Sequence, residues 1–107
     1  MTREEVRQQL KENPLEWTRE AIERFGYEYL KAEIRHGELN IEYRIFYDYE
    51  RLELKRVSLY FMAAADRWEG GECVMRKYNN FPTLEEVKAK AEAHRVDLIC
   101  RLLGIND

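Results

Sequence analysis

The sequence predicts an α+β fold, a single ααββββα domain in which a four-stranded antiparallel meander carries its helices mainly on one face. Three observations lead there. Both ends of the chain repeat apolar residues at helical spacing, the middle alternates them with period two, and the few breakers fall at the joints between these segments.

Thr2 and Glu5 form a T-x-x-E capping box that opens a helix over residues 3–12, with Val6 and Leu10 as its apolar pair. Asn13-Pro14 reads as an N-cap and first-turn signature for a second helix over 14–25, which Gly26 ends. Its stripe is Leu15, Thr18, Ile22 and Phe25. Trp17 falls half a turn off that stripe, and packing against Val6 and Leu10 is preferred to a role as an exposed anchor.

From Tyr27 the period changes. Strands are expected over 27–35 and 39–48, joined as a hairpin through His36-Gly37-Glu38. Pairing Ile34 with Leu39 sets Ala32 opposite Ile41, Leu30 opposite Tyr43, Lys31 opposite Glu42 and Tyr29 opposite Arg44. A slip of one residue would turn every apolar side chain to the wrong face. A third strand over 51–63 changes parity between Leu52-Leu54 and Val57-Leu59-Phe61, so a β-bulge is expected at Lys55-Arg56. Asp66 to Gly71 is a loop, and a strand over 72–78 follows whose inward set is Cys73/Met75 or Val74/Tyr78. After Asn79-Asn80-Phe81-Pro82, a second capping box at Thr83 and Glu86 starts a helix over 83–103, with Gly104 as its C′ residue. Leu84, Val87, Ala91, Leu98 and Leu102 form its apolar stripe.

The chain has 107 residues, 45% of them hydrophobic and 36% charged, with a net charge of −3. This suits one packed domain and argues against disorder. Residues 1–26, 27–82 and 83–107 each net −1, so no basic stripe marks a nucleic-acid binder and no acidic block marks a mimic of one. No apolar run approaches the roughly 18 residues of a membrane span, and Met1-Thr2-Arg3-Glu4-Glu5 begins no leader peptide, so a cytoplasmic protein is expected. Cys73 and Cys100 lack CxxC spacing and are expected as reduced thiols.

No catalytic constellation is legible. His36 falls in a turn, His94 lies at the edge of the last helix's stripe with Asp97 at i+3, and metal-ligand and phosphate-loop spacings are missing, so no cofactor is expected. The unbalanced feature is aromatic. By the hairpin register Tyr27, Tyr29, Arg44 and Phe46 share the outer sheet face, and Tyr60 and Met62 join them from the third strand. Trp17 and Trp68 are secondary candidates. Tyr, Met and Arg are favoured at protein interfaces. The expected function is therefore non-enzymatic protein–protein contact, with a target or a second copy, by an inhibitor, adaptor or regulator of the kind common in phages and mobile elements. The alternative is a single-stranded nucleic-acid module that stacks bases on this face, against which the interleaved Glu33, Glu42 and Glu53 argue.

Overall fold

Helix α1 (Arg3–Glu12) begins at its capping box: the Glu5 amide donates to Thr2 Oγ1 at 3.2 Å, and the Thr2 amide donates to Glu5 Oε1 at 3.4 Å. Helix α2 (Leu84–Leu102) begins the same way, with the Glu86 amide 3.2 Å from Thr83 Oγ1 and the Thr83 amide 3.1 Å from Glu86 Oε2. In a computed structural model the described residues are 1–22, 27–36, 39–50, 54–63, 72–78 and 82–105. Between the helices runs one antiparallel sheet in sequence order: β1 (Thr18–Ile22), β2 (Tyr27–His36), β3 (Leu39–Glu50), β4 (Leu54–Ala63) and β5 (Glu72–Tyr78). The α+β class is the expected one. The strand count is five rather than four.

The extra strand replaces the helix expected over 14–25. Thr18–Ile22 pairs with β2, from Thr18 opposite Lys31 to Ile22 opposite Tyr27. Tertiary partners overrode the local helix signal here. The Leu15 amide is bound by Glu92 Oε1 at 2.7 Å and the Asn13 carbonyl by Arg95, so α2 holds the backbone just after α1 in a non-helical path. Phe25 and Gly26 lie outside the described residues. Trp17 also moves: it packs on the main core and not against Val6 and Leu10, which belong to a second cluster.

The hairpin pairs two residues away from the expected register. Ile34 faces Ile41, Ala32 faces Tyr43, Leu30 faces Ile45 and Tyr29 faces Phe46, while Lys31 sits opposite Arg44 and Glu33 opposite Glu42. Because side chains alternate with period two, this shift preserves both faces and changes every cross-strand partner. The expected bulge at Lys55-Arg56 is not formed; both residues continue the β3 ladder opposite Tyr49 and Asp48. The irregularity lies instead against β5, where Leu59 faces Met75 and Tyr60 faces Cys73, leaving Val74 as the extra residue. Neither inward set expected for this strand holds: Val74 and Met75, one from each set, pack on the core, while Cys73 and Tyr78 are exposed.

The main core lies between the sheet and α2. Ala32, Ile41, Tyr43, Ile45, Val57 and Leu59 meet Val87 and Ala91 there, and Leu15 closes one end. A smaller cluster, Val6 with Val96 and Cys100, fastens α1 to the far half of α2. Leu102, expected in the helix stripe, is exposed. The C-terminus of α2 is closed by a Schellman motif: the Ile105 amide reaches the Cys100 carbonyl at 2.8 Å and the Gly104 amide reaches Arg101 at 3.2 Å, with Gly104 at φ 73°. Ile105 packs on the cluster that contains Cys100, completing the motif's apolar contact.

Arg95 is the one buried cation among the described residues, with 2% exposure. Its Nη2 donates to the carbonyls of Leu10 and Asn13, both at 2.9 Å, and to Glu92 Oε2 at 2.8 Å. One guanidinium thus caps the last turn of α1 and pairs with a carboxylate whose other oxygen holds Leu15. Arg95→Met should destabilise the chain by about 3 kcal/mol, because it strands a partly buried carboxylate and two carbonyls. Gly104→Ala should cost about 1 kcal/mol through the left-handed backbone alone. Urea titration followed by circular dichroism checks both, and equal costs would contradict this ranking.

Candidate functional site

The two faces of the sheet differ in what covers them. Among the described residues both helices pack on the core side, and the outer side is covered only by its own side chains. There the ring of Tyr29 stacks on Phe46, with centroids 5.2 Å apart and planes 28° apart. Phe46 meets Tyr60 edge-on at 5.7 Å. Arg44 places its guanidinium 4.8 Å from the Tyr29 centroid, and Arg76 lies 5.8 Å from that of Tyr60.

Register explains this ladder. Tyr29 and Phe46 are direct cross-strand partners, as are Arg44 and Tyr60, whereas Phe46–Tyr60 and Tyr29–Arg44 are diagonal neighbours within reach of long side chains. Arg76 enters from β5 opposite Ser58; its Nε donates to Ser58 Oγ at 3.3 Å and its Nη2 to the Tyr60 hydroxyl. Ser58 is only 1% exposed although it lies on the outer face. The aromatic and guanidinium groups therefore form a continuous lid over the strand beneath them.

Carboxylates flank the ladder. Arg44 Nε donates to Glu42 Oε2 at 3.1 Å. Lys31 Nζ lies 3.2 Å from Glu33 and 3.6 Å from Glu20 on β1, and the hydrogen bond it donates to Glu33 holds its pKa above the ordinary 10.5. The Lys31–Glu42 pair expected from the sequence is thus replaced by contacts along and beyond the hairpin.

Of the expected surface residues, Tyr29, Arg44, Phe46 and Tyr60 come together in the ladder. Met62 shares the face, opposite Glu42. Tyr27 stands in β2 opposite Ile22, with its side chain outside the described part, and Trp68 lies outside the described residues altogether. Trp17 is on the other side of the sheet, against the core. The sequence reading missed Arg76, because the facing of its strand was open, and missed Glu20, because its segment was read as helix.

On the core side, His94 of α2 lies between two aromatic rings. Its Nδ1 is 2.8 Å from the Tyr43 hydroxyl, and its ring is 4.7 Å from that of Phe61. Tyr43 is fully buried, which pushes its pKa well above 10.0, and among the described residues its hydroxyl is hydrogen-bonded to His94 Nδ1 alone. The phenol therefore stays protonated and can donate to Nδ1, an arrangement that puts the imidazole proton at Nε2. Burial holds the His94 pKa below 6.5, and the Glu72 carboxylate opposes this only in part. No group of three or more His, Cys, Asp or Glu among the described residues is arranged to hold a metal, and no described helix is long and apolar enough to cross a membrane.

This pair has a definite pH signature. Stability is full above 6.5 and declines as pH falls toward the depressed native value, since the unfolded imidazole takes up its proton first. In His94→Gln that decline should vanish while the carboxylate-driven loss below about pH 5 remains. Tyr43→Phe should raise the His94 pKa, read from imidazole proton shifts, and lower stability by about 1 kcal/mol. An unmoved titration would show that the hydroxyl contributes nothing to the shift.

Compared with protein-family models, with curated proteins and with solved structures, the chain has no match.

Proposed function

We propose that the protein works by docking its outer sheet face onto another protein surface, a target or a second copy of itself, as a small non-enzymatic regulator or adaptor. The observation that carries this reading is the Tyr29–Phe46–Tyr60 ladder, bracketed by Arg44 and Arg76 and set over the buried Ser58. A rigid aromatic surface held by its own neighbours loses little side-chain freedom when a partner covers it. Its composition is that of an interface centre, and the surrounding Lys31, Glu33, Glu20 and Glu42 supply a polar rim.

The same geometry argues against stacking nucleic-acid bases. Tyr29 and Phe46 already spend a ring face on each other, and Tyr29 receives Arg44 as well. Lys31 and Arg44 are both held by carboxylates, and Arg76 by Ser58 and Tyr60, which leaves these cations less available to phosphates.

Tyr29→Glu/Phe46→Glu should keep the circular-dichroism spectrum and abolish the complex. Light scattering over a concentration series reads self-association, and capture from the native host, compared between wild type and variant, reads a target. Tyr29→Ser/Phe46→Ser serves the same purpose if the acidic pair perturbs folding. The reading fails if wild type is monomeric and both chains capture the same proteins. Salt-dependent retention of a single-stranded oligonucleotide by wild type and not by the variant would overturn it in favour of the nucleic-acid alternative.

A further inference from the structure

On the helix side of the sheet, where β5 ends the strand order, a groove of about 410 Å³ opens between that strand and α2. Its volume falls in the range of small-ligand sites. The opening has a sequence cause. Glu86, Ala89, Lys90 and Ala93 recur at i, i+3, i+4 and i+7, one face of α2 beside the core residues Val87 and Ala91. Two of those four positions are alanine, and their short side chains leave space open toward the strand. Met75 and Lys77 form the opposite wall, turned to the helix side because they face Leu59 and Val57 on β4. Pro82 closes one end.

The groove is apolar within and basic at its rim. The one carboxylate in its wall, Glu86, is engaged in the capping box, where Oε2 accepts the Thr83 amide. Lys77 and Lys90 make no hydrogen bond or ion pair with any described residue. Two uncommitted ammonium groups therefore stand beside a wall of methyl and thioether groups.

We propose that this groove binds a small amphipathic anion, with an apolar body against Met75, Ala89 and Ala93 and a carboxylate head toward Lys77 and Lys90. Such a head matches the excess positive charge, and such a body buries surface that a fully polar anion would leave wet. A peptide strand is the poorer occupant. The irregularity at Val74 breaks the even ladder that an added strand would need, and lysines on an edge oppose strand addition. The site is independent of the outer aromatic face, which lies on the opposite side of the sheet.

Decanoate, kept below its micelle-forming concentration, is the probe, followed by calorimetry and by backbone amide shifts of the full chain. Saturable one-to-one binding is expected, with shifts centred on Met75, Lys77, Ala89 and Ala93. Lys77→Glu/Lys90→Glu should weaken it by about tenfold or more. Ala93→Leu, at an exposed helix position that tolerates a larger side chain, should fill the groove and remove the heat of binding. Lys88→Glu, on the same helix outside the groove, should change nothing, and decanol should bind more weakly than decanoate. Absence of saturable binding overturns the proposal. So does equal affinity for decanol, or affinity unchanged in both the Lys77→Glu/Lys90→Glu and Ala93→Leu variants.

Discussion

Everything else in the fold is hung from the clasp that Glu92 and Arg95 make on the segment between α1 and β1. A buried guanidinium is costly to desolvate, and here its position is justified by three acceptors: two main-chain carbonyls and a carboxylate one helical turn away. The same carboxylate takes the Leu15 amide. Two side chains of α2 thereby stop α1, steer the chain away from a second helix and deliver Leu15 to the core. Where β1 begins, and hence which residues it offers to β2, follows from that geometry.

The two faces of the sheet answer different requirements. The core face is apolar: aliphatic residues with Trp17 and Phe61 surround Tyr43, whose hydroxyl is satisfied by a histidine kept neutral by burial. The outer face has no helix to hide beneath among the described residues. It protects its strands with its own aromatic and guanidinium groups, enough to bury Ser58. Each ring pair or cation–π contact contributes on the order of 1 kcal/mol. That is too little to explain a fold and enough to fix side-chain positions on a surface, which is the property a docking face needs.

Local signals were legible in the sequence and long-range ones were not. Both capping boxes, the Gly104 terminus and the alternation of β2 and β3 rest on residues a few positions apart, and each appears where the pattern puts it. The segment after Asn13 did not, because its conformation is decided by Glu92 and Arg95 nearly eighty residues away or more. The bulge expected at Lys55-Arg56 is missing because that stretch pairs evenly with β3, and the irregularity sits at Val74 on the neighbouring strand, which no inspection of 51–63 could reveal. On the outer face, the hairpin halves of the ladder were recognisable from alternation alone. Arg76 was hidden because a strand containing a bulge has no single parity to read.

The two-residue displacement of the hairpin bears on how the chain folds. Seen from the core, the two registers are nearly degenerate: Leu30, Ala32 and Ile34 meet apolar partners in either. Seen from the outer face, they differ sharply. One sets Lys31 beside Glu42, and the other accepts Lys31 opposite Arg44 and Glu33 opposite Glu42 in exchange for the Tyr29–Phe46 stack. Hydrophobic collapse cannot choose between them. The choice falls to outer-face contacts: the Tyr29–Phe46 stack inside the hairpin and the edge contact of Phe46 with Tyr60 on β4. Sliding one strand by a full pleat would keep both faces of the sheet and break that stack, so the outer aromatic rings act as the register's lock.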